Sequence, residues 1–173
     1  MEKIGIIIGR FQVPELHQGH KYLIQSTINN FDDIIIFIGE TKDKILTAHD
    51  PLPFEARKKV IIESFPELNV DGKIYPLPDL GDWQAWVKQL DIRIEMLRTL
   101  GLISRDSDIY ICGSRDSVPE RYKEFGGSFN THIFPPLKDL SGTKERKKYK
   151  NYKPSWTLEE RRLMTWYFTS IHG

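Results

Sequence analysis

Short apolar runs alternate with longer amphipathic segments along this 173-residue chain. Five of these runs, rich in β-branched or aromatic residues, are too short for buried helices. They predict strands of a parallel sheet that is covered on both faces. The runs lie at residues 4–8, 33–39, 74–79, 108–113 and 131–135.

The segments between these strands carry apolar residues at helical spacing. They predict helices at residues 21–28, 51–65, 83–100 and 119–125, then one that begins at residue 140 and a last one at 156–171. Strands that alternate with helices from end to end predict an α/β fold with a doubly wound, open parallel sheet of Rossmann-like type. Without a repeat, a low-complexity tract or a linker, residues 1–173 are expected to form a single domain with a helical segment at about 141–173.

Composition sets the outer limits of function. The formal net charge of +1 argues against a protein that binds nucleic acid through bulk charge. A single cysteine, Cys112, excludes an internal disulfide framework and is compatible with a reducing compartment. No apolar run approaches the ~20 residues that span a bilayer, and the N-terminus lacks the apolar core of a signal peptide. We therefore expect a cytoplasmic protein with no membrane partner.

The most informative stretch joins the first strand to the first helix. Gly9 ends the strand, and a loop leads to His17, Gly19 and His20 at the start of the helix. Ligands of open α/β sheets bind beyond the carboxyl ends of the strands, where a helix N-terminus offers free N–H groups to an anion. One helical turn would point both histidines the same way, and the glycine between them leaves room for phosphate. This stretch predicts a phosphate site.

A second helix start of this kind lies towards the other end of the chain. Ser141 is a candidate N-cap, Gly142 is small, and the hydroxyl of Thr143 lies beside free N–H groups. Arg146, about one turn further on, has a guanidinium group suited to phosphate oxygens. Taken alone, the segment also fits an ordinary capped helix. The histidine pair makes a second phosphate-binding element the better interpretation.

Together these motifs resemble the signatures of the nucleotidyltransferase superfamily that carries a His-x-Gly-His motif. Gly-Arg-Phe-Gln at 9–12 and Ser-Gly-Thr-Lys-Glu-Arg at 141–146 are similar above all to nicotinamide mononucleotide adenylyltransferases of archaeal type and to the adenylyltransferase domain of adenylyltransferase–Nudix proteins. The chain departs from the family pattern at two places. The loop at 13–16 makes the spacing from arginine to histidine two residues longer, and Glu145 replaces an apolar residue.

The resemblance implies a role for each matching residue. The catalytic residues would be His17, His20 and Arg146. ATP or the phosphates of the nucleotides would be bound by Gly9, Arg10, Phe11, Gly19, Gly113, Arg115, Asp116, Ser141, Gly142 and Thr143. The mononucleotide would be bound by Gly39, Arg57, Asp79, Trp83 and Trp86. In that set a tryptophan would stack on the pyridinium ring, and Asp79 would accept a hydrogen bond from the carboxamide.

The activity implied by this resemblance is adenylyl transfer. A phosphate oxygen of nicotinamide mononucleotide would attack the α-phosphorus of ATP in line, giving NAD and pyrophosphate. His17 and His20 would donate hydrogen bonds to phosphate oxygens during this step. Mg²⁺ would be held mainly by the ATP phosphates and water, so no protein ligand for a metal is named.

Other interpretations of the sequence stay open. The acceptor could be pantetheine phosphate, flavin mononucleotide or a cytidylyl acceptor, or the chain could be a nucleotide sensor without catalysis. A zinc site needs three or four ligands, and His49, His132 and Cys112 show no ligand spacing. The basic run at 144–153 could bind RNA, but a solvated surface is the better interpretation and no nucleic-acid partner is expected. A homo-oligomer is compatible with the sequence.

Overall fold

The computed structural model describes residues 1–41, 46–47, 50–114 and 117–135. In these ranges the elements are β1 Lys3–Gly9, α1 Gln18–Asn30, β2 Asp33–Glu40, α2 Phe54–Ser64, β3 Ile74–Pro78, α3 Trp83–Thr99, β4 Asp108–Ser114, α4 Val118–Glu124 and β5 Asn130–Phe134. A short 3-10 helix, Pro66–Leu68, follows α2. The two helices predicted after residue 139 lie outside the described residues.

All five strands run parallel in one sheet with the order β3-β2-β1-β4-β5. β1 lies at the centre, where Ile4 is paired with Asp33 of β2 and with Ile109 of β4. The predicted α/β fold with a doubly wound parallel sheet is confirmed, and each of the five predicted strands is present. In such a sheet the chain changes its winding direction between β1 and β4, which is where ligand crevices form at the carboxyl ends of the strands.

Each face of the sheet has its own apolar cluster. On one face the strands pack against α1 and α2, with Ile7, Ile24, Ile36 and Ile61 in the contact. On the other face they pack against α3 and α4, with Ile6, Phe37, Leu90 and Tyr122 in the contact. Neighbouring strand residues alternate between the faces, and because both faces are covered the strands consist of nearly continuous apolar runs. In the described ranges, no helix has the length and apolar character that crossing a membrane requires.

The close approach of α1 to β1 depends on a glycine. A Cβ atom at Gly5 would collide with the methyl group of Thr27, a residue of α1 that is fully buried. The hydroxyl of Thr27 donates to the carbonyl of Leu23, one turn earlier in the same helix, at 2.8 Å. The threonine is thus packed and hydrogen-bonded against the strand. This contact fixes α1, and with it the start of the helix, relative to β1.

The start of α2 differs from the prediction. The helix begins at Phe54 rather than at residue 51, because Pro53 disfavours a helical conformation at the preceding Leu52. Both backbone groups of Leu52 are instead bonded to the side chain of Gln12, with the N–H donating at 2.9 Å and the carbonyl accepting at 3.1 Å. Gln12 is 3% exposed. A buried amide therefore ties the loop after β1 to the segment that precedes α2.

A buried hydroxyl joins α3, α4 and the turn before β5. The hydroxyl of Tyr122 donates to one carboxylate oxygen of Asp91 at 2.5 Å and accepts from the N–H of Phe129 at 2.8 Å. The other carboxylate oxygen of Asp91 accepts from the N–H of Ser128 at 3.0 Å. Burial, and after it the Asp91 carboxylate, raise the pKa of the Tyr122 hydroxyl. The group therefore keeps its proton and its role as donor at physiological pH.

Tyr122→Phe should lower the free energy of unfolding by about 1–3 kcal/mol, because it leaves partly buried groups of Asp91 and Phe129 without their hydroxyl partner. Urea denaturation followed by circular dichroism measures this loss. Tyr22→Phe is the matched control, since the Tyr22 ring is half-buried with its edge against Phe134. The control should change the free energy by less than about 0.5 kcal/mol. Equal stabilities of the two variants would contradict the role given to this network.

Candidate active site

The chain makes a strained turn where β1 ends. Phe11 has a φ of 52°, in the left-handed region, which costs a residue with a side chain roughly 1–2 kcal/mol. Its ring occupies the space beside Gly9, where a Cβ atom would lie 2.9 Å from the ring. The ring centroid of Phe11 lies 5.2 Å from that of His20. The turn therefore brings Phe11 to the start of α1, while Arg10 lines a cavity on the side of α3.

The structure brings His17 and His20 together at the start of α1. His17 is the N-cap residue, and its Nδ1 accepts a hydrogen bond from the backbone N–H of His20 at 3.2 Å. The two imidazole rings are stacked, with centroids 3.7 Å apart and planes 15° from parallel. Because Nδ1 of His17 is an acceptor, the proton of the neutral ring lies on Nε2. That nitrogen is thereby prepared to donate to an anion.

A cavity of about 370 Å³ lies at the carboxyl ends of β1, β2 and β3. This volume falls in the range of small-molecule sites, roughly 300–1,000 Å³. Four of the five residues predicted to bind the mononucleotide line the cavity, namely Gly39, Asp79, Trp83 and Trp86. Arg10 also lines it, and Ile8, Leu77 and Val118 form apolar walls. The structure thus gathers one charged pair and two indole rings around an apolar space.

Arg10 is held between two carboxylates at this cavity. Its guanidinium group contacts Asp50 at 3.1 Å and Asp79 at 2.9 Å, and its side chain is 48% exposed. Asp79 also accepts a hydrogen bond from the backbone N–H of Gly81 at 2.9 Å. This N–H first, and then Arg10, hold the pKa of Asp79 below its ordinary value, against the opposing effect of partial burial. Asp79 is therefore ionised at neutral pH.

The two tryptophans of α3 form an aromatic wall. Their rings meet edge to face with centroids 5.4 Å apart. Trp83 is 42% exposed and is stacked on Phe125 of the segment after α4, at 6.1 Å. The guanidinium group of Arg121 lies 5.9 Å from the centre of the Trp83 ring. Trp86 is half-buried and packs against the apolar cluster on this face. Neighbours from two helices thus fix the orientation of the wall.

Unlike the other four residues predicted to bind the mononucleotide, Arg57 does not line this cavity; it lines a second cavity of about 280 Å³. It is 3% exposed, and its Nη1 donates to the carbonyls of Arg10 at 2.8 Å and of Gly39 at 2.5 Å. Burial lowers the pKa of Arg57 to about 10, against the raising effects of Glu40 and Asp50. The group is therefore still a cation at neutral pH. Its contacts are with the backbone, and its binding of a substrate phosphate remains a prediction.

The glycine at the end of β4 has a structural explanation that sequence reasoning did not give. The sequence places Gly113 among the residues that would bind ATP, but a Cβ atom there would also lie 2.5 Å from Oγ of Ser117 and 2.6 Å from Cδ of Pro119. The glycine is thus required by the packing of the chain's own α4. The remaining predicted ATP residues Arg115, Asp116, Ser141, Gly142 and Thr143, and the catalytic candidate Arg146, lie outside the described residues.

Sequence reasoning missed three polar residues that shape the site. Asp50 pairs with Arg10 from 40 residues away, and no local pattern signals such a contact. Asp82 lines the cavity and caps α3, accepting from the N–H of Gln84 at 3.2 Å; an aspartate before an amphipathic run is a recognisable N-cap signal. Gln12 anchors the loop after β1. In the part of the chain that the structure describes, no cluster of three or more His, Cys, Asp or Glu side chains suited to a metal ion is found.

The sequence is similar to curated nicotinamide-nucleotide adenylyltransferases of archaea. It is 27% identical to that of Methanococcus aeolicus over 147 residues, covering 85% of this chain and 77% of the relative. It is 28% identical to that of Methanocorpusculum labreanum over 149 residues, covering 83% and 77%. The match to the Haloarcula marismortui protein, 29% identical over 87 residues, covers 50% of this chain and 45% of that relative. No family model matches the chain.

Solved structures share the fold. A bifunctional NMN adenylyltransferase/ADP ribose pyrophosphatase from Francisella tularensis, complexed with AMP and an Mn ion, matches with a TM-score of 0.68 at 22% identity, covering 99% of this chain and 52% of that one. The NadR protein in complex with NAD and AMP-PNP matches with a TM-score of 0.61 at 21% identity, covering 88% and 44%. The chain thus spans about half the length of the two solved chains and of the Haloarcula relative. The resemblance inferred from the motifs is confirmed in sequence and in fold.

Replacing Arg10 by methionine should raise the pKa of Asp79 without restoring its ordinary value, because the Gly81 N–H, the larger cause of the lowering, stays in place. A ¹³C NMR titration of the Asp79 carboxyl group measures both values. The lowered pKa means that this group stabilises the fold above the ordinary aspartate pKa, and that this contribution is lost as the pH falls below it. An unchanged Asp79 pKa in the variant would contradict the contact between the two side chains.

Proposed function

We propose that this chain is an adenylyltransferase that joins ATP and nicotinamide mononucleotide to give NAD and pyrophosphate. The observation that carries the proposal is the turn after β1. It places Arg10 in a cavity with Trp83 and Trp86, and Phe11 against the imidazole of His20. A site for an aromatic mononucleotide and a site for a polyphosphate are thereby joined by two consecutive residues. The similarity to archaeal nicotinamide-nucleotide adenylyltransferases supports the same assignment.

The mononucleotide occupies the cavity at the ends of β1–β3. Its cationic pyridinium ring lies against the indole wall, where the negative face of Trp86 attracts it. Asp79, ionised and fixed by the Gly81 N–H, accepts a hydrogen bond from the carboxamide. Arg10 releases one of its carboxylates and binds the 5′-phosphate, which is the more highly charged partner. Gly39 leaves room for the substrate beside the Arg10 side chain.

ATP binds with its phosphates at the start of α1. Nε2 of His17 and the imidazole of His20 donate to phosphate oxygens, and the helix dipole adds a favourable field. Gly9 and Phe11 lie next to the ATP phosphates in this proposal, and Gly19 lies in the first turn of the helix. Arg146 and the segment of Ser141, Gly142 and Thr143 bind the outer phosphates in this proposal. The adenosine is bound next to Gly113, Arg115 and Asp116.

The reaction is one displacement at phosphorus. An oxygen of the mononucleotide phosphate forms a bond to the α-phosphorus of ATP, and the bond to the oxygen that bridges the α- and β-phosphorus breaks. The electron pair leaves with pyrophosphate. Both reacting groups are phosphates, so the protein supplies no nucleophile. Its contribution is to position the two phosphates in line and to neutralise their charge as it moves to the leaving group.

A divalent metal ion belongs to this proposal, with Mg²⁺ as the expected ion. The carboxylates at the cavity already have partners: Asp79 with Arg10 and Gly81, and Asp82 with the N–H of Gln84. The phosphate oxygens of ATP and water are therefore the expected ligands, and the ion would supply further charge neutralisation there. We further propose a cytoplasmic location and small-molecule partners only. Homo-oligomerisation stays a prediction.

The test of the function is pyrophosphate release from MgATP with a panel of acceptors. Release with nicotinamide or nicotinic acid mononucleotide, and not with flavin mononucleotide or phosphopantetheine, is the expected result. Release with one of the latter two would keep the chemistry and overturn the assignment of the indole wall. Measurable ATP binding without release in any reaction would favour a nucleotide sensor and overturn the enzymatic proposal.

His20→Ala should lower kcat by about 10²–10³-fold, because it removes a donor to the phosphate whose charge develops in the transition state. The substitution keeps the cap of α1, since His17 accepts from the backbone N–H of residue 20, which alanine retains. Steady-state kinetics with both substrates measure the effect, and thermal unfolding checks the fold. His132→Ala is the matched control: this residue of β5 packs against Phe31 and Phe134 and should leave kcat near the wild-type value. Similar kcat values for the two variants would rule out a catalytic role for His20.

A further inference from the structure

The guanidinium group of Arg57 joins three parts of the chain that meet below the cavity. Its Nη1 donates to the carbonyl of Arg10, just after β1, and to that of Gly39, near the end of β2. Its Nε donates to the carbonyl of Pro53, which caps α2, at 3.5 Å. With 3% of its surface exposed, the side chain belongs to the interior of the fold. The bonds of Nη1 and Nε all go to backbone carbonyls, so a substrate phosphate that used these donors would have to displace the protein's own acceptors.

The two carbonyls that accept from Nη1 of Arg57 both belong to residues next to the Arg10 side chain, and their positions affect its orientation. The carbonyl of Arg10 is attached to the Cα atom from which that side chain leaves the backbone. The aliphatic part of the Arg10 side chain lies next to Gly39, since a Cβ atom at Gly39 would be 3.6 Å from Cγ of Arg10. By binding the two carbonyls with one nitrogen, Arg57 fixes the separation of the two backbone segments that Arg10 spans. The direction in which Arg10 leaves the backbone is set by this bridge.

The same bridge supports the strained turn. The carbonyl of Arg10 belongs to the peptide group that enters Phe11, whose φ of 52° is unfavourable. Such a conformation persists only where neighbouring contacts determine it. The bond from Arg57 holds this peptide plane in the required orientation. Arg57 therefore acts on the cavity through Arg10 and on the histidine pair through the ring of Phe11.

From this geometry we infer that Arg57 is a positioning residue for Arg10, rather than a residue that itself binds a substrate phosphate. Lysine is not equivalent, because one ammonium group would replace the two separate donor nitrogens, Nη1 and Nε, that bind the carbonyls of Arg10, Gly39 and Pro53. The inference about substrate binding rests on the proposed function. The coupling between the two arginines does not, and it can be measured without any substrate.

The substrate-free test uses the Asp79 carboxyl group as a reporter of Arg10, whose Nη2 lies 2.9 Å from it. In Arg57→Lys the pKa of Asp79, measured by ¹³C NMR, should rise towards the value found in Arg10→Met. Lys59→Met, an exposed position on the same helix, is the control and should leave it unchanged. A wild-type Asp79 pKa in Arg57→Lys would overturn the inference. So would a failure of both Arg57→Lys and Arg57→Gln to fold, since Arg57 would then be a structural residue only.

The second test is a double-mutant cycle on the binding of nicotinamide mononucleotide, measured by isothermal titration calorimetry. Arg57→Lys alone should weaken binding about tenfold or more, whereas in the Arg10→Met background it should change the affinity less than about twofold. Independent, additive losses would identify a direct phosphate contact and overturn the inference. If the wild-type protein does not bind this mononucleotide, the proposed function fails while the Asp79 measurement still decides the role of Arg57.

Discussion

The conformation of Phe11 is the constraint on which the candidate site depends. A left-handed residue with a full side chain persists only if its neighbours hold it there. The peptide carbonyl before it accepts from Arg57, its ring packs against His20, and the next side chain, Gln12, is buried and bonded to the start of α2. As a result, three consecutive side chains lie in different places: Arg10 at the cavity, Phe11 at the start of α1, and Gln12 in the interior next to α2. Only the first of them, Arg10, remains accessible to a ligand, and it does so at the cavity.

The two arginines near this turn, Arg10 and Arg57, differ in the free energy that is lost when their contacts are broken. Arg10 is half-exposed, and its contact with Asp79, which is 40% exposed, is a surface ion pair of a kind that contributes about 0–1 kcal/mol. An anionic ligand can replace this carboxylate with little loss. Arg57 is buried, and removing it would take away a donor that the carbonyls of Arg10 and Gly39 share in the interior. The side chain of Arg10 is therefore the more easily displaced of the two, and that of Arg57 is the more firmly held.

Local pattern was sufficient for the fold and for the histidine pair, because both arise from short-range regularities. Period and β-branching predict the five strands, and a spacing of three at a helix start predicts that His17 and His20 meet. The contacts that assemble the cavity are long-range, and no such rule applies to them. The sequence shows Arg57 as a helical arginine, but its burial depends on where α2 packs against β2. The partnership of Asp50 with Arg10 likewise exists only once the loops after two strands have folded towards each other.

The loop at 13–16, two residues longer than the family pattern, shows how such a departure can leave a site intact. Val13 and Leu16 are 0% and 3% exposed and belong to the apolar cluster of α1 and α2. The cavity with the indole wall lies on the opposite face of the sheet, beside α3. The loop, which connects β1 to α1, therefore packs into the core on the side of α1 and α2. Because Leu16 directly precedes His17, its burial anchors the N-cap of α1, and no residue of the loop at 13–16 lines the cavity with the indole wall.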